Sequence, residues 1–234
     1  MPDCRAPVAV FDSGLGGISV LRELVRTLPR ENYLYFGDSL HAPYGTKTPQ
    51  EVITLSLQAA DRLLSQGAKA LIFDVRFNGG GYKDEMVKIL DKLLPEGVLF
   101  QSEDYAGRKE TDTSDSACIA LPMAVLVNHD SYSAAEFFAA ALQEYGWAEV
   151  VGEKTCGKGN FQTGFQLSDG SLLNISIGKY YTPQGRSLTD LGVTPDVEIE
   201  YDDETYAKLY YSQLEDADDT QLQAALRILT DKIS

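Results

Sequence analysis

A serine at the start of a predicted helix and a lysine in a later glycine turn form the strongest candidate for chemistry in this sequence. Ser133 opens an Ala-rich helix predicted to end near Tyr145, and Lys158 lies between Gly157 and Gly159. A serine hydroxyl is a poor nucleophile until a base takes its proton, and a lysine amine can be that base when desolvation lowers its pKa. The positive end of the helix dipole would also favour an alkoxide and a developing oxyanion at Ser133.

Other interpretations of these residues stay open. Taken singly, a serine at a helix start is often only an N-cap, and a lysine in a glycine turn is often only solvated. The sequence has two histidines, His41 and His129, so a Ser-His-Asp triad has few candidates. His129 precedes the helix in a predicted loop, which disfavours it as the base.

A second candidate site lies near the N-terminus, in the run FDSGLGG at residues 11–17. This run falls between a predicted strand and a predicted helix, where free backbone amides can hold a carboxylate or a phosphate. The same glycines also suit a tight turn with no ligand.

Composition narrows the function classes. The 234 residues include 20 Lys+Arg against 35 Asp+Glu, a formal charge of −15, which disfavours nucleic acid and anionic membranes as partners. No apolar run reaches the roughly 20 residues that span a bilayer. The three cysteines lack CxxC spacing, which predicts free thiols rather than a disulfide framework or zinc site. We expect neither a cofactor nor a metal.

Hydrophobic patterning predicts an α/β fold. Apolar strands at 8–11, 33–36 and 71–74 alternate with helices, a βαβαβ order in which the three strands are expected to lie side by side. Further predicted strands and helices follow, with a β-hairpin over 161–181. Residues 1–69 carry seven acids and seven bases, so residues 70–234 carry the whole negative charge, which suggests two parts with different histories.

The first part resembles the N-terminal third of glutamate racemase. The motifs FDSGLGG, ENYLYFGD and APYGTK carry the resemblance, which covers about residues 5–70. It implies a vestigial amino-acid-binding site formed by Asp12, Ser13, Pro43, Tyr44 and Gly45. That family uses two cysteine bases, the first in a Cys-Asn-Thr turn after the third strand, where this sequence reads DVRFN at 74–78. We therefore expect no racemase activity.

From about residue 69 the sequence resembles the catalytic domain of the C-terminal processing (tail-specific) serine peptidases. Four motifs in order carry this resemblance: AKALIFDVRFNGGG, VLVNHDSYSAAEFFAAALQEYG, VVGEKTCGKGNFQ and YYTPQGRSLTDLGVTPDVEIE. It implies a crotonase/caseinolytic-protease-like core of β-β-α units. It also implies a nucleophile at Ser133, a base at Lys158 and a lysine-orienting residue at Gln162. The implied oxyanion hole is the Gly81 amide, helped by Gly80 and by the amide of Ser133.

The sequence departs from that family at three positions near the proposed site. Tyr132 and Ala135 replace small or hydroxyl residues in the serine motif, and Cys156 replaces an aromatic residue before Gly157. None of these changes removes a reacting group, but Tyr132 is expected to alter the substrate cleft. The family's usual PDZ-type domain and its secretory signal or membrane anchor are not found in this sequence, so the chain as written is expected to be cytoplasmic, whereas the family is usually extracytoplasmic.

Two segments and three functions are therefore predicted. Residues 1–69 are a truncated glutamate-racemase-like segment, and residues 70–234 are a peptidase-like catalytic domain. The leading function is a Ser/Lys endopeptidase acting on a peptide or unfolded protein, with a homo-oligomer left open. The alternatives are an inactive hybrid or interaction protein and, with less support, a racemase-related protein.

Overall fold

The computed structural model describes residues 8–12, 33–37 and 49–233. Their elements, in chain order, are β1 (Val8–Asp12), β2 (Tyr33–Gly37), α1 (Pro49–Ser65), β3 (Leu71–Asp74), α2 (Lys83–Leu93), β4 (Gly97–Asp104), β5 (Lys109–Ser114), β6 (Met123–Val127), α3 (Ala134–Glu144), β7 (Ala148–Gly152), β8 (Asn160–Gln166), β9 (Leu172–Tyr181), β10 (Val197–Glu198), α4 (Asp203–Tyr210) and α5 (Thr220–Ile233).

A four-stranded parallel sheet, in the order β10-β7-β6-β3, forms the centre of the fold. Every residue of β6 is buried, and alternate side chains of this strand enter two different apolar clusters. Met123, Val125 and Val127 pack with α2 and α3, whereas Ala124 and Leu126 pack with α5. Helices therefore cover both faces of the sheet, which is why its central strand is apolar throughout.

The third predicted strand belongs to this sheet rather than to the N-terminal pair. β3 lies parallel to β6, with Leu71 opposite Met123 and Asp74 opposite Leu126. β1 and β2 form a separate two-stranded parallel sheet, from Val8 opposite Tyr33 to Asp12 opposite Gly37. The prediction that all three strands lie side by side is therefore wrong for β3. That prediction relied on the tendency of strands that follow one another in the chain to be neighbours in a sheet. In the structure, β3 instead pairs with β6.

A second four-stranded sheet, antiparallel and in the order β5-β4-β9-β8, packs through aromatic rings against α3. The Phe137 ring of α3 lies 5.1 Å from the Phe100 ring and 5.6 Å from the Tyr180 ring, measured between centroids. β8 and β9 form the predicted hairpin, with Gln166 paired to Leu172 next to the turn. Through Phe137, the same helix that follows Ser133 joins the two large sheets.

Specific contacts define the end of α3 and the position of α4. α3 ends where predicted, because Gly146 takes the left-handed φ of 65° and its N–H bonds to the Gln143 carbonyl. α4 places Tyr206 edge-on against Phe77, with ring centroids 5.1 Å apart. Across the described ranges, no helix combines the length and apolarity that crossing a membrane would require.

Candidate active site

Three loops that carry predicted site residues leave the same edge of the parallel sheet. β3 ends at Asp74, β6 at Val127 and β7 at Gly152, and each is followed by one of the three loops. Because the carboxyl ends of parallel strands meet at one edge, the glycine turn at 78–81, Ser133 and Lys158 converge there. The sheet thus assembles residues that lie far apart in the sequence.

Ser133 sits on a sharp turn between β6 and α3. Its backbone has φ 60° and ψ −126°, a conformation that costs a non-glycine residue about 1–3 kcal/mol. Its side chain makes no capping hydrogen bond to the helix it precedes, so the N-cap interpretation does not account for this serine. A strained strand-to-helix turn that carries a serine not used as a helix cap is typical of a nucleophile.

Buried polar side chains fix the loop that leads to Ser133. The Ser131 hydroxyl donates to the Val75 carbonyl at 2.8 Å and accepts the Asn128 N–H at 3.0 Å. The Asn128 amide oxygen accepts the Phe77 N–H at 2.9 Å. These bonds tie the serine loop to the chain that leaves β3. Phe77 itself has φ 58°, so strained backbone lies on both sides of the site.

The glycine turn lies directly against Ser133. A Cβ on Gly80 would lie 2.6 Å from the Ala134 nitrogen and 2.9 Å from the Ser133 Cβ, and Gly80 has φ 85°. The Gly80 N–H donates to the Asn78 side-chain oxygen at 2.9 Å. Gly81, in contrast, faces open space, because a Cβ there would meet nothing within 4 Å. The Gly80 amide is therefore engaged in shaping the turn, whereas the Cβ side of Gly81 is open.

Lys158 reaches the same region, but its ammonium is not on the serine. Lys158 Nζ lies 5.6 Å from the centroid of the Tyr132 ring. Among the hydrogen bonds of residues 49–233, none joins Lys158 Nζ to Ser133 Oγ. The Lys158 backbone is held at both ends of the residue: its N–H donates to Glu136 at 2.9 Å, and its carbonyl accepts the Tyr180 hydroxyl. Only the side chain is thus left to change position.

Glu136 is the residue that sequence reasoning missed. Its carboxylate is fully buried in the first turn of α3 and accepts the Thr155 hydroxyl, the Gly157 N–H at 2.6 Å and the Lys158 N–H at 2.9 Å. It therefore joins the helix of the serine to the turn of the lysine. A usable signal existed in the sequence, namely an acid three residues after Ser133, inside the apolar run AAEFFAAAL.

Tyr180 is a second residue that the sequence did not indicate. Burial, followed by the nearby Glu136 charge, raises the pKa of the Tyr180 phenol, while a hydrogen bond with Ser133 acts in the opposite direction. The phenol therefore stays protonated at neutral pH. It contacts both the serine side chain and the lysine backbone.

A buried arginine fixes the end of β3 below the glycine turn. Arg76 Nη2 lies 2.6 Å from Asp74 Oδ2, and its Nη1 lies 2.8 Å from Asp219 Oδ2. Burial by itself would lower the pKa of the Arg76 guanidinium. The charges and hydrogen bonds of Asp74, and then of Asp219, nevertheless hold this pKa above its ordinary value. Gln221 of α5 accepts a further bond from Arg76 at 3.1 Å. The C-terminal segment thereby supports the turn.

The other predicted residues fall in different places. Gln162 lies in β8 with an exposed side chain, and none of the hydrogen bonds within 49–233 joins its amide to Lys158. His129 is exposed, with its Nδ1 3.8 Å from Asp130 Oδ1. Asp12 is the last residue of β1, but its side chain lies outside the described residues, as do Ser13, His41, Pro43, Tyr44 and Gly45. No cluster of metal-ligating side chains occurs in the described part of the chain.

The three bonds of Glu136 lead to a stability prediction. Glu136→Gln replaces one carboxylate oxygen with an amide NH₂, which points a donor at a donor and leaves a buried group unsatisfied. We expect the free energy of unfolding to fall by about 1–3 kcal/mol, measured by urea denaturation. Glu96→Gln changes an exposed acid in the same way and is the control. Equal losses in the two variants would contradict the proposed role of the Glu136 carboxylate.

Comparison with known proteins gives different results for the two parts of the chain. At the N-terminus, the chain is 58% identical over 68 residues to glutamate racemase of Clostridium perfringens, covering 29% of this chain and 26% of that protein. The chain is also 37% identical over 173 residues to the carboxyl-terminal-processing protease of Synechocystis sp., covering 74% of this chain and 39% of that one. The chain thus spans about two fifths of the length of that relative.

A solved structure and a family model agree with the second result. The structure of a photosystem II D1 C-terminal processing protease superposes with a TM-score of 0.58 at 36% identity, covering 64% of this chain and 39% of that one. The family model of peptidase family S41 matches residues 49–199, a range that includes the glycine turn, Ser133, Glu136 and Lys158. On this match and the resemblance to processing proteases, the chain belongs to peptidase family S41.

Proposed function

We propose that the chain is a serine-type endopeptidase in which Ser133 attacks the peptide carbonyl and Lys158 takes the serine proton. The observation that carries the proposal is the geometry around Glu136. This buried carboxylate fixes the backbone of Lys158 to the helix that begins after Ser133, while the serine hydroxyl makes no capping bond. Membership of family S41 supports the same assignment.

The reaction follows from these positions. As the bond between Ser133 Oγ and the carbonyl carbon forms, the hydroxyl proton passes to a neutral Lys158 amine and the carbonyl oxygen becomes an oxyanion. The C–N bond then breaks, and the leaving amine takes the proton back from Lys158. Water, activated in turn by the lysine, hydrolyses the acyl-enzyme and releases Ser133.

The Gly81 and Ser133 amides are proposed to stabilise the oxyanion. Both belong to segments that meet at the carboxyl edge of the sheet, and the Gly81 side of the turn is open to a ligand. Gly80 contributes by allowing the turn to approach Ser133, since its own N–H already bonds to Asn78. Donors of this kind act most strongly when they are fixed before the reaction begins.

Lys158 must rotate from Tyr132 toward Ser133 for this chemistry. Its backbone is held, so the change occurs within its flexible side chain. Gln162, four residues later in β8, is proposed to accept a hydrogen bond from the amine in the working arrangement. Tyr180, whose phenol stays protonated, supports the turn from the other side through the Lys158 carbonyl.

The proposed substrates are unstructured peptide segments. The two processing proteases that resemble this chain act on the carboxyl termini of proteins according to their names, so we propose a C-terminal segment of a protein as the substrate of this chain also. The formal charge of −15 favours peptides that are not strongly acidic, because like charges repel at the approach to the cleft.

The first test removes each member of the dyad. Ser133→Ala and Lys158→Ala should each lower cleavage of an unstructured fluorogenic peptide by about 10³-fold or more, since nucleophile and base act as a unit. A fluorophosphonate probe should label the parent at Ser133, read by mass spectrometry. Ser116→Ala, Lys154→Ala and His129→Ala change exposed residues and should leave cleavage unchanged. Parental cleavage by Ser133→Ala would refute the assignment.

The second test separates the two glycines of the turn. Gly80→Ala should lower the rate of fluorophosphonate labelling at Ser133 by about 10²-fold or more. The Cβ of the new alanine would collide with the Ser133 turn and displace the neighbouring proposed oxyanion donor. Gly81→Ala should label within a few-fold of the parent, because its Cβ meets open space and its N–H is kept. Equal effects of the two substitutions would contradict this arrangement of the turn.

A racemase function is the second candidate, favoured by the 58% identity over 68 residues to glutamate racemase. We propose that this chain does not catalyse racemisation, because residues 74–78 carry no cysteine at the position of the first base. Purified protein should give no conversion of L-glutamate to D-glutamate above the rate without protein, followed by chiral chromatography. Conversion that is lost in Asp12→Ala would establish the racemase function instead.

A further inference from the structure

We propose that Tyr132 gates the dyad: its ring holds the Lys158 ammonium away from Ser133 in the substrate-free protein, and a bound peptide displaces the ring. The proposal rests on the proposed function, since it concerns when Ser133 and Lys158 work together. It assigns a role to a residue whose side chain takes part in none of the proposed catalytic steps.

The ring occupies a defined place over the glycine turn. The Tyr132 hydroxyl would lie 2.6 Å from a Cβ on Gly79, so only a glycine at that position leaves room for the ring. The Tyr132 N–H also donates to the Asn78 carbonyl at 3.2 Å, which fixes the tyrosine backbone to the same turn. The aromatic ring therefore covers the turn next to Gly80 and Gly81.

The ring and Ser133 compete for one ammonium. Lys158 Nζ lies 5.6 Å from the ring centroid, within the distance at which a cation is attracted to an aromatic face. Glu136 and Tyr180 hold the Lys158 backbone on its N–H and carbonyl sides, so the ammonium changes partner only by side-chain rotation. The structure shows the side chain at the ring, and the position on Ser133 is the one that the proposed chemistry requires.

The exposure of the ring makes it displaceable. Tyr132 is 39% exposed, although the residues on either side of it in the loop, Ser131 and Ser133, are buried and partly buried. A peptide that lies across the turn to place its carbonyl near Gly81 would meet the ring over Gly79. Moving the ring removes the partner of the ammonium, and the side chain then turns to Ser133 and releases one proton to solvent, so that a neutral amine faces the serine hydroxyl. Substrate binding would in this way complete the dyad.

The test compares three replacements of the ring by their rate of fluorophosphonate labelling without peptide. In this reaction, Ser133 Oγ bonds to phosphorus, fluoride leaves and the serine proton passes to the base. Tyr132→Ala and Tyr132→Leu should label about 2- to 5-fold faster than the parent, the range set by a partly exposed cation–π contact. Tyr132→Phe keeps the aromatic face and should stay closest to the parent. Tyr105→Ala, an exposed tyrosine in the β4–β5 turn, is the control.

A second measurement separates gating from a general rise in reactivity. Because a bound peptide displaces the ring itself, kcat at saturating peptide should change less in Tyr132→Ala than the labelling rate does. Circular dichroism and urea unfolding establish that each variant is folded, and the leucine variant fills most of the vacated space.

The outcomes are distinguishable. No labelling of Ser133 in the folded parent and in every variant would overturn the proposed peptidase function. Labelling at equal rates in all four proteins would overturn the gate and leave that function standing. Faster labelling in Tyr132→Ala alone, with Tyr132→Leu like the parent, would show a steric cover and would also overturn the cation-holding role. Slower labelling in all three variants would also overturn the cation-holding role.

Discussion

The bonds of one buried carboxylate hold the proposed site together. Glu136 is fully buried, and such a charge is costly unless donors surround it. Here the donors are a hydroxyl and two backbone amides of the segment Thr155–Lys158, and the position of Glu136 in the first turn of α3 adds the favourable end of the helix dipole. The distance between the helix after Ser133 and the turn of Lys158 is therefore set by hydrogen bonds that neither proposed reacting side chain makes.

The parallel sheet explains why those two segments are close enough to be joined. β6 and β7 are neighbours, so the loop before α3 and the loop that carries Lys158 leave adjacent strand ends. β3 adds the glycine turn on the other side of β6. Arg76, buried between Asp74 and Asp219, connects that turn to the C-terminal helix α5, in which Gln221 accepts one of its hydrogen bonds. The Arg76 guanidinium thus links the start of α5 to the glycine turn.

The strands before and after helix α1 belong to different sheets. β1 and β2 form their own parallel pair, whereas the apolar strand at Leu71–Asp74 completes the peptidase sheet beside β6. The S41 match begins at residue 49, within the N-terminal part, so helix α1 falls inside the peptidase range although it precedes the predicted boundary at residue 69. The boundary itself remains a prediction.

The sequence by itself determined the elements and the identity of the proposed reacting groups. Apolar periodicity predicted β6, α3 and the β8–β9 hairpin, because burial patterns repeat along a strand or helix, and the motifs around Ser133 and Lys158 indicated the peptidase family. Only the tertiary structure decided which strands pair, since the sequence of an apolar strand such as β3 does not indicate which strand lies beside it. It also decided that Glu136 holds the lysine turn and that the Tyr132 ring lies beside the lysine ammonium. Both are contacts between segments about 20 or more residues apart, and such contacts depend on how the sheet brings its loops together rather than on any local pattern.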